Sequence, residues 1–169
     1  MTARERRIVR LKKLIADINN DLDAVGKISG KIAVLDEEIN RKSGPVDDRD
    51  IMSMAAYLHH YYTGLEAVFE RISVDFDGGI SNRGDYHREL LRSMTLEIDG
   101  VRPKVISPEL VEELDDYRKF RHMFRHAYAG ELGWKKMSHL SENAAEIFNI
   151  VEVNVKVFIS YIMVLVLRL

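Results

Sequence analysis

The segment Tyr117-Arg118-Lys119-Phe120-Arg121-His122-Met123-Phe124-Arg125-His126-Ala127-Tyr128 concentrates the side chains of this protein most able to do chemistry. With Arg121 taken as zero, an advance of about 100° per residue puts Arg125 at about +40°, Arg118 at about +60°, His122 at about +100° and His126 at about +140°. Phe124, Phe120 and Ala127 fall on the opposite side, extended by Leu114 and Tyr117. Tyr128 borders Arg121. A helix here therefore presents three guanidiniums and two imidazoles on one face and anchors itself by aromatics on the other.

Two imidazoles at i and i+4 have the spacing of metal ligands. No acidic residue lies between or beside them, and the neighbouring arginines repel a cation, so a metal site is disfavoured. A phosphodiester fits better. Arginine keeps its charge and grips phosphate oxygens in a bidentate way, while histidine takes or gives a proton near neutrality. RNA carries its own nucleophile, the 2′-hydroxyl. One imidazole to deprotonate it and one guanidinium to stabilise the phosphorane suffice for cleavage without a metal. From residue types alone, an inert solvated basic face remains the stronger reading. The chain has no cysteine, which excludes a disulfide framework, a thiolate metal site and a cysteine nucleophile.

The pattern that must position these residues is helical. Only three prolines and ten glycines punctuate 169 residues, too few for a sandwich of short strands. Thr2 and Glu5 form a capping box opening a first helix. Its stripe runs Ile8, Leu11, Leu14, Ile15, Ile18, Leu22, Val25, Ile28, Ile32, Leu35 and Ile39, as one helix or as two broken near residues 19–21 or 26–30. Asp47 or Asp48 caps a second helix, whose stripe is Ile51, Met54, Ala55, Leu58, Tyr62, Leu65, Phe69 and Ile72. A loop is expected over 75–84 and a short helix over 85–96. Ser107-Pro108-Glu109 starts a helix running to about Tyr128. The last helix begins between Trp134 and Ser141 and buries Leu140, Ala144, Ile147, Val151, Val155, Phe158 and Ile162. The expected architecture is all-α, an antiparallel bundle of four or five helices in a single domain over 1–169.

The net charge of −2, from 25 basic against 27 acidic side chains, argues weakly against a nucleic-acid partner. Its distribution says more. Residues 1–13 hold six basic side chains against Glu5. Residues 117–136 hold Arg118, Lys119, Arg121, Arg125, Lys135 and Lys136 against Glu131, just after an acidic block of Glu109, Glu112, Glu113, Asp115 and Asp116. The longest apolar run, 157–167, is shorter than the roughly 20 residues of a membrane span and is expected to be a buried helix. No signal segment is visible at the N-terminus, so no membrane partner and a cytoplasmic location are expected.

Arg121-x4-His126-x-Tyr128 resembles the Arg-x4–6-His motif of the HEPN superfamily, in the form found in HepT-like ribonuclease toxins. The segments Leu90-Leu91-Arg92-Ser93-Met94 and Val101-Arg102-Pro103-Lys104-Val105-Ile106 are similar to a longer HepT-like subgroup. The resemblance implies an antiparallel bundle that forms a homodimer, with two motif copies in one cleft. It implies metal-independent endoribonuclease activity with no cofactor, with Arg121 and His126 catalytic and Arg118, His122 and Arg125 as candidate ligands for RNA phosphate. It also implies an MNT-type nucleotidyltransferase antitoxin that transfers AMP to the motif tyrosine, here Tyr128. The added phosphates would crowd and repel RNA beside Arg121. The residue after the motif arginine is often Asn in this superfamily. Here it is His122, which leaves proton transfer open between His122 and His126. The competing reading is a non-catalytic HEPN module that binds nucleotide or presents substrate to a nucleotidyltransferase partner.

Other groups carry weaker expectations. His59-His60-Tyr61-Tyr62 reads as core and border packing on the second helix. His87 is expected on an exposed helix surface, with the edge of the cleft as the alternative. Trp134 is expected to plug the turn before the last helix, and Met52, Met54, Met94 and Met123 to fill gaps.

Overall fold

The computed structural model describes residues 1–81, 84–127 and 132–169. Five α-helices carry the fold: α1 (Ala3–Arg41), α2 (Asp48–Ile72), α3 (Tyr86–Ser93), α4 (Pro108–His126) and α5 (Ser138–Arg168). The chain is all-α. Among the described residues the only β feature is a single bridge between Ile98 and Arg102.

The local signals in the sequence explain most boundaries. Thr2 accepts from the Glu5 amide while Glu5 reaches back to the Thr2 amide, closing the capping box. α1 then continues unbroken through Gly26 and Gly30, so the first segment is one helix of 39 residues. Gly26 is tolerated because the Phe148 ring of α5 lies against it, at 3.2 Å from where a Cβ would stand. Asp47, not Asp48, caps α2 by accepting from the Arg49 amide. At its far end α2 passes into a π-helical turn, Ser73–Asp77, and terminates on the left-handed Gly78. The irregular stretch expected from residue 75 therefore starts about one turn later than its glycines suggested. α3 is shorter than the expected 85–96, but still buries Leu90, Leu91 and Met94 as expected. α4 starts with Pro108 in its first turn and stops at His126, two residues before the expected end.

α1 packs along α2 and along α5 around one continuous core, with α4 laid against α2 and the first turns of α5. Two phenols fasten this arrangement: Tyr61 donates to the Ala144 carbonyl at 2.8 Å and Tyr117 to the Leu140 carbonyl at 2.7 Å. Gly64 lets α1 and α2 approach closely. A Cβ there would stand 2.5 Å from Val25 Cγ2. Trp134 begins a 3₁₀ turn (Trp134–Lys136) and packs half-buried on the core before α5.

The expected burial of 157–167 is corrected. Phe158, Ile159 and Ile162 are buried, whereas Val157, Met163, Val164 and Leu167 are exposed. With Ile150 and Val153 they leave a second apolar stripe on α5 facing outward. The segment Trp134–Arg168 is long and apolar enough to cross a membrane by length and composition, with 28% of its most apolar window buried. α5 nevertheless seats its other stripe against α1, as a core helix does.

The loop between α3 and α4 is held from inside by Arg102. Its Nε and Nη2 donate to the two carboxylate oxygens of Asp77, each at 2.7 Å. Nη1 donates to the carbonyls of Leu96 and Pro103, and Nη2 also to that of Ser93. All five guanidinium N–H groups are thus matched to acceptors. The amides of Val105 and Ile106 both donate to the Met94 carbonyl, which sets the entry into α4.

Candidate functional site

α4 is amphipathic as the sequence suggests, with Leu114, Tyr117 and Phe120 buried. Its basic side chains do not form one uniform face. They divide into an inner pair, Arg118 and Arg121, and an outer group, His122, Arg125 and His126, which is exposed. Arg118 donates from Nε to Asp115 at 2.6 Å, and its Nη1 lies 3.7 Å from Asp85 at the start of α3. Burial alone would raise the Asp115 carboxyl. The hydrogen bonds from Arg118 and Lys119 outweigh it and hold the group below its ordinary value.

Arg121 turns toward α2. Its side chain is only 12% exposed; Nε donates to Thr63 Oγ1 at 3.0 Å and Nη1 lies 3.5 Å from Glu66 Oε1. Glu66 is itself buried, its side chain 6% exposed. The second oxygen of the same carboxylate meets His87 Nδ1 of α3 at 2.8 Å. One buried carboxylate therefore bridges the motif arginine and an imidazole from another helix. Tyr86 closes this corner, donating to Glu70 Oε1 at 2.9 Å; burial, then that hydrogen bond, push its phenol up to about 12. Tyr62 lies one helical turn before Glu66 with its hydroxyl buried and unpartnered. Burial and the Glu66 charge raise its phenol far above the ordinary value.

The outer group sits around the C-terminal turn. The His122 and His126 rings are tilted against each other with centroids 4.7 Å apart. Across on α2, His59 packs on Phe124 at 5.2 Å and on His60 at 5.2 Å. Burial lowers its pKa first, and the charges of His60, Arg121 and Arg125 lower it further. His59 is thus the half-buried border residue expected, Tyr61 and Tyr62 are core, and His60 is exposed. Tyr128, the expected acceptor of AMP, lies outside the described residues.

Sequence reasoning did not single out Glu66, and placed His87 by preference on open surface. A signal for Glu66 was present: it stands four residues after Tyr62 and three before Phe69, which puts a carboxylate on the apolar face of α2. A charge at such a position needs a partner. Arg121 and His87 are those partners.

Chemically, the site offers a fixed guanidinium, a carboxylate-bound imidazole and, one turn further along α4, an exposed basic and imidazole-bearing edge. These are groups for binding a phosphate and moving protons. Among the described residues no cluster of three or more His, Cys, Asp or Glu is arranged to hold a metal ion.

A family model described as HepT-like protein matches residues 53–162, more than half of the chain. The chain belongs to the HepT-like family. Searches of curated proteins and of solved structures return no match. The matched region takes in most of α2, all of α3 and α4 and most of α5, so it contains Thr63, Glu66, His87, Arg121 and His126 together. Membership makes this a HEPN-type, toxin-like protein of a family generally associated with ribonuclease activity.

Proposed function

We propose that this HepT-like protein is a metal-independent endoribonuclease and the toxin of a toxin–antitoxin pair. The observation that carries the reading is the Arg121-x4-His126 motif at the C-terminal end of α4, within a family match that spans it. Arg121 stabilises the phosphorane charge, and His126 takes part in the proton transfers at the reacting phosphodiester. His122 and Arg125 are exposed and contribute phosphate contacts; Arg118, engaged by Asp115 and Asp85, shapes the inner wall. The protein works in the cytoplasm as a homodimer that brings two motifs to one cleft. A nucleotidyltransferase antitoxin of the MNT type neutralises it, with Tyr128 as the acceptor of AMP.

The purified chain, incubated with RNA in EDTA, is expected to leave 2′,3′-cyclic phosphate ends, and His126→Ala to leave the RNA intact. Equal inertness of both proteins sinks the reading. Co-expression with the partner nucleotidyltransferase is expected to add AMP mass units to the wild type and none to Tyr128→Phe.

One observation favours a second reading. Arg121 is drawn inward against Glu66 rather than standing free, as suits a module that holds a nucleotide without cleaving RNA. Calorimetric nucleotide binding with no cleavage selects that alternative.

A further inference from the structure

Resting on the ribonuclease reading, we propose that His87 is a second catalytic imidazole of this site and the general base of the reaction, with Glu66 as its positioning residue. Transesterification of RNA needs two proton transfers, one from the 2′-hydroxyl and one to the departing 5′-oxygen. The family motif supplies one histidine for them. The structure places another beside the motif arginine from a different helix.

The geometry selects His87 over the other imidazoles. His59 is packed against Phe124, with Nδ1 buried and unpartnered, and His60 makes ring contact only with His59 among the contacts of the described residues. Among the described residues His87 is the imidazole that meets a carboxylate, and that carboxylate is the one that meets Arg121. An ionised Glu66 only accepts, so a neutral His87 at this contact holds its proton on Nδ1 and presents the lone pair of Nε2. The side chain is 37% exposed, so part of the ring is open to a bound chain. Glu66, at 6% exposure, fixes the ring and the guanidinium together, as the third group does in a nucleophile–base–orienter arrangement. Among the described residues, the other charged groups at this corner are Glu70 and Asp85 on the carboxylate side, with Arg121 and Arg118 from α4.

The step balances without a further reactant. His87 Nε2 takes the proton of the 2′-hydroxyl, and O2′ forms a bond to phosphorus. The P–O5′ bond breaks and its electron pair stays on O5′. His126 delivers a proton to that oxygen. The products are a 2′,3′-cyclic phosphate and a 5′-hydroxyl, and the two histidines exchange their protonation states through solvent.

The test uses the full chain and two short RNAs of one sequence. One is natural; the other carries sulfur in place of O5′, a leaving group that departs without an acid. His87→Ala is expected to lose at least 100-fold in cleavage of both RNAs while keeping RNA affinity and the circular dichroism of the wild type. Added imidazole restores its activity. His126→Ala is expected to fail on the natural RNA and to recover on the sulfur RNA. Glu66→Gln keeps the shape of the carboxylate and is expected to lose about 10-fold and to displace the ascending limb of the pH–rate profile. Wild-type activity on His87→Ala overturns the proposal and leaves the ribonuclease reading standing. Loss in His87→Ala that imidazole does not rescue, or that the sulfur RNA does rescue, overturns the assignment as base. A wild type inert on both RNAs overturns the ribonuclease reading itself, and this proposal with it.

Discussion

Arg102 and Arg121 both carry a guanidinium into the interior of the bundle, and both meet a carboxylate there. Arg102 is fully enclosed, forks onto Asp77 through two hydrogen bonds and gives its remaining donors to three main-chain carbonyls. Its fork is saturated, so nothing is left to offer a ligand. Arg121 holds one hydroxyl by a hydrogen bond and one carboxylate oxygen at a looser 3.5 Å, and the other oxygen of that carboxylate is shared with a histidine. Among the described residues its partners fix it in place without exhausting its donors. A buried arginine with every donor matched is a structural staple. One seated on a shared carboxylate at the edge of an imidazole-bearing face has the character of a site.

The comparison is broken most severely through Arg102. Arg102→Ala removes the partner of the largely buried Asp77 carboxylate and of three loop carbonyls, and removal of one partner from a buried pair costs about 3–5 kcal/mol. We expect a fall of that size in the free energy of unfolding by urea titration. Cleavage per folded molecule should be changed little. An Arg102→Ala protein with unaltered stability would remove the structural half of the contrast.

Arg121→Ala reverses the pattern. Loss of one donor aimed at developing charge costs about 10²- to 10³-fold in rate. We expect that loss in RNA cleavage, while stability falls by about 1–3 kcal/mol as Glu66 loses a partner but keeps His87. Arg121→Lys sharpens the point, since an ammonium keeps the charge but not the fork that reaches Thr63 and Glu66 together. If Lys restores full rate, charge alone matters and the geometry at Thr63 is incidental.

Gly64→Ala probes how closely the α2 wall must lie to α1. Alanine favours a helix interior over glycine by about 1 kcal/mol, so on an open helix the change would stabilise. Here the new methyl meets Val25 Cγ2 at 2.5 Å, and overpacking of that kind costs about 1–3 kcal/mol. We expect a lower melting temperature. Because Thr63 and Glu66 flank the displaced turn, cleavage should fall further than stability alone accounts for. Gly64→Ala at wild-type stability would mean that Val25 yields freely and that the spacing of α1 and α2 has slack.

How much of this was legible in the sequence follows from the range of each interaction. The Thr2–Glu5 box, the α1 and α5 stripes and the Pro108 start are encoded within a few residues, and they stand where the spacing put them. Continuity of α1 through Gly26 was not legible, because the Phe148 ring that covers it comes from the other end of the chain. Arg121 and His126 could be named from motif spacing. The split of the basic face could not, because it depends on α2 and α3 reaching Arg121 and Arg118 with Glu66 and Asp85. Arg102 and Asp77, 25 residues apart, give no local sign of each other. The helical wheel places residues around one axis and says nothing of which neighbours lie beyond it.

The smallest expected effect concerns His59, the border residue that separates the α4 end from the core. Its folded-state pKa is depressed, first by burial and then by His60, Arg121 and Arg125. The unfolded chain therefore binds a proton there at a higher pH than the folded protein does. By linkage, stability rises with pH wherever the unfolded state holds more protons. This contribution is present above the ordinary histidine value of about 6.5 and is lost as pH falls below it toward the depressed folded value. Thermal unfolding followed from pH 7.5 down to pH 5 should show a lower midpoint at the acid end, and His59→Phe should flatten that slope while keeping the ring contact with Phe124. The basic face enters through Arg121 and Arg125, so Arg125→Gln should weaken the slope without abolishing it. An unchanged slope in His59→Phe would assign the acid sensitivity to another group and make the two sides of Phe124 electrostatically independent.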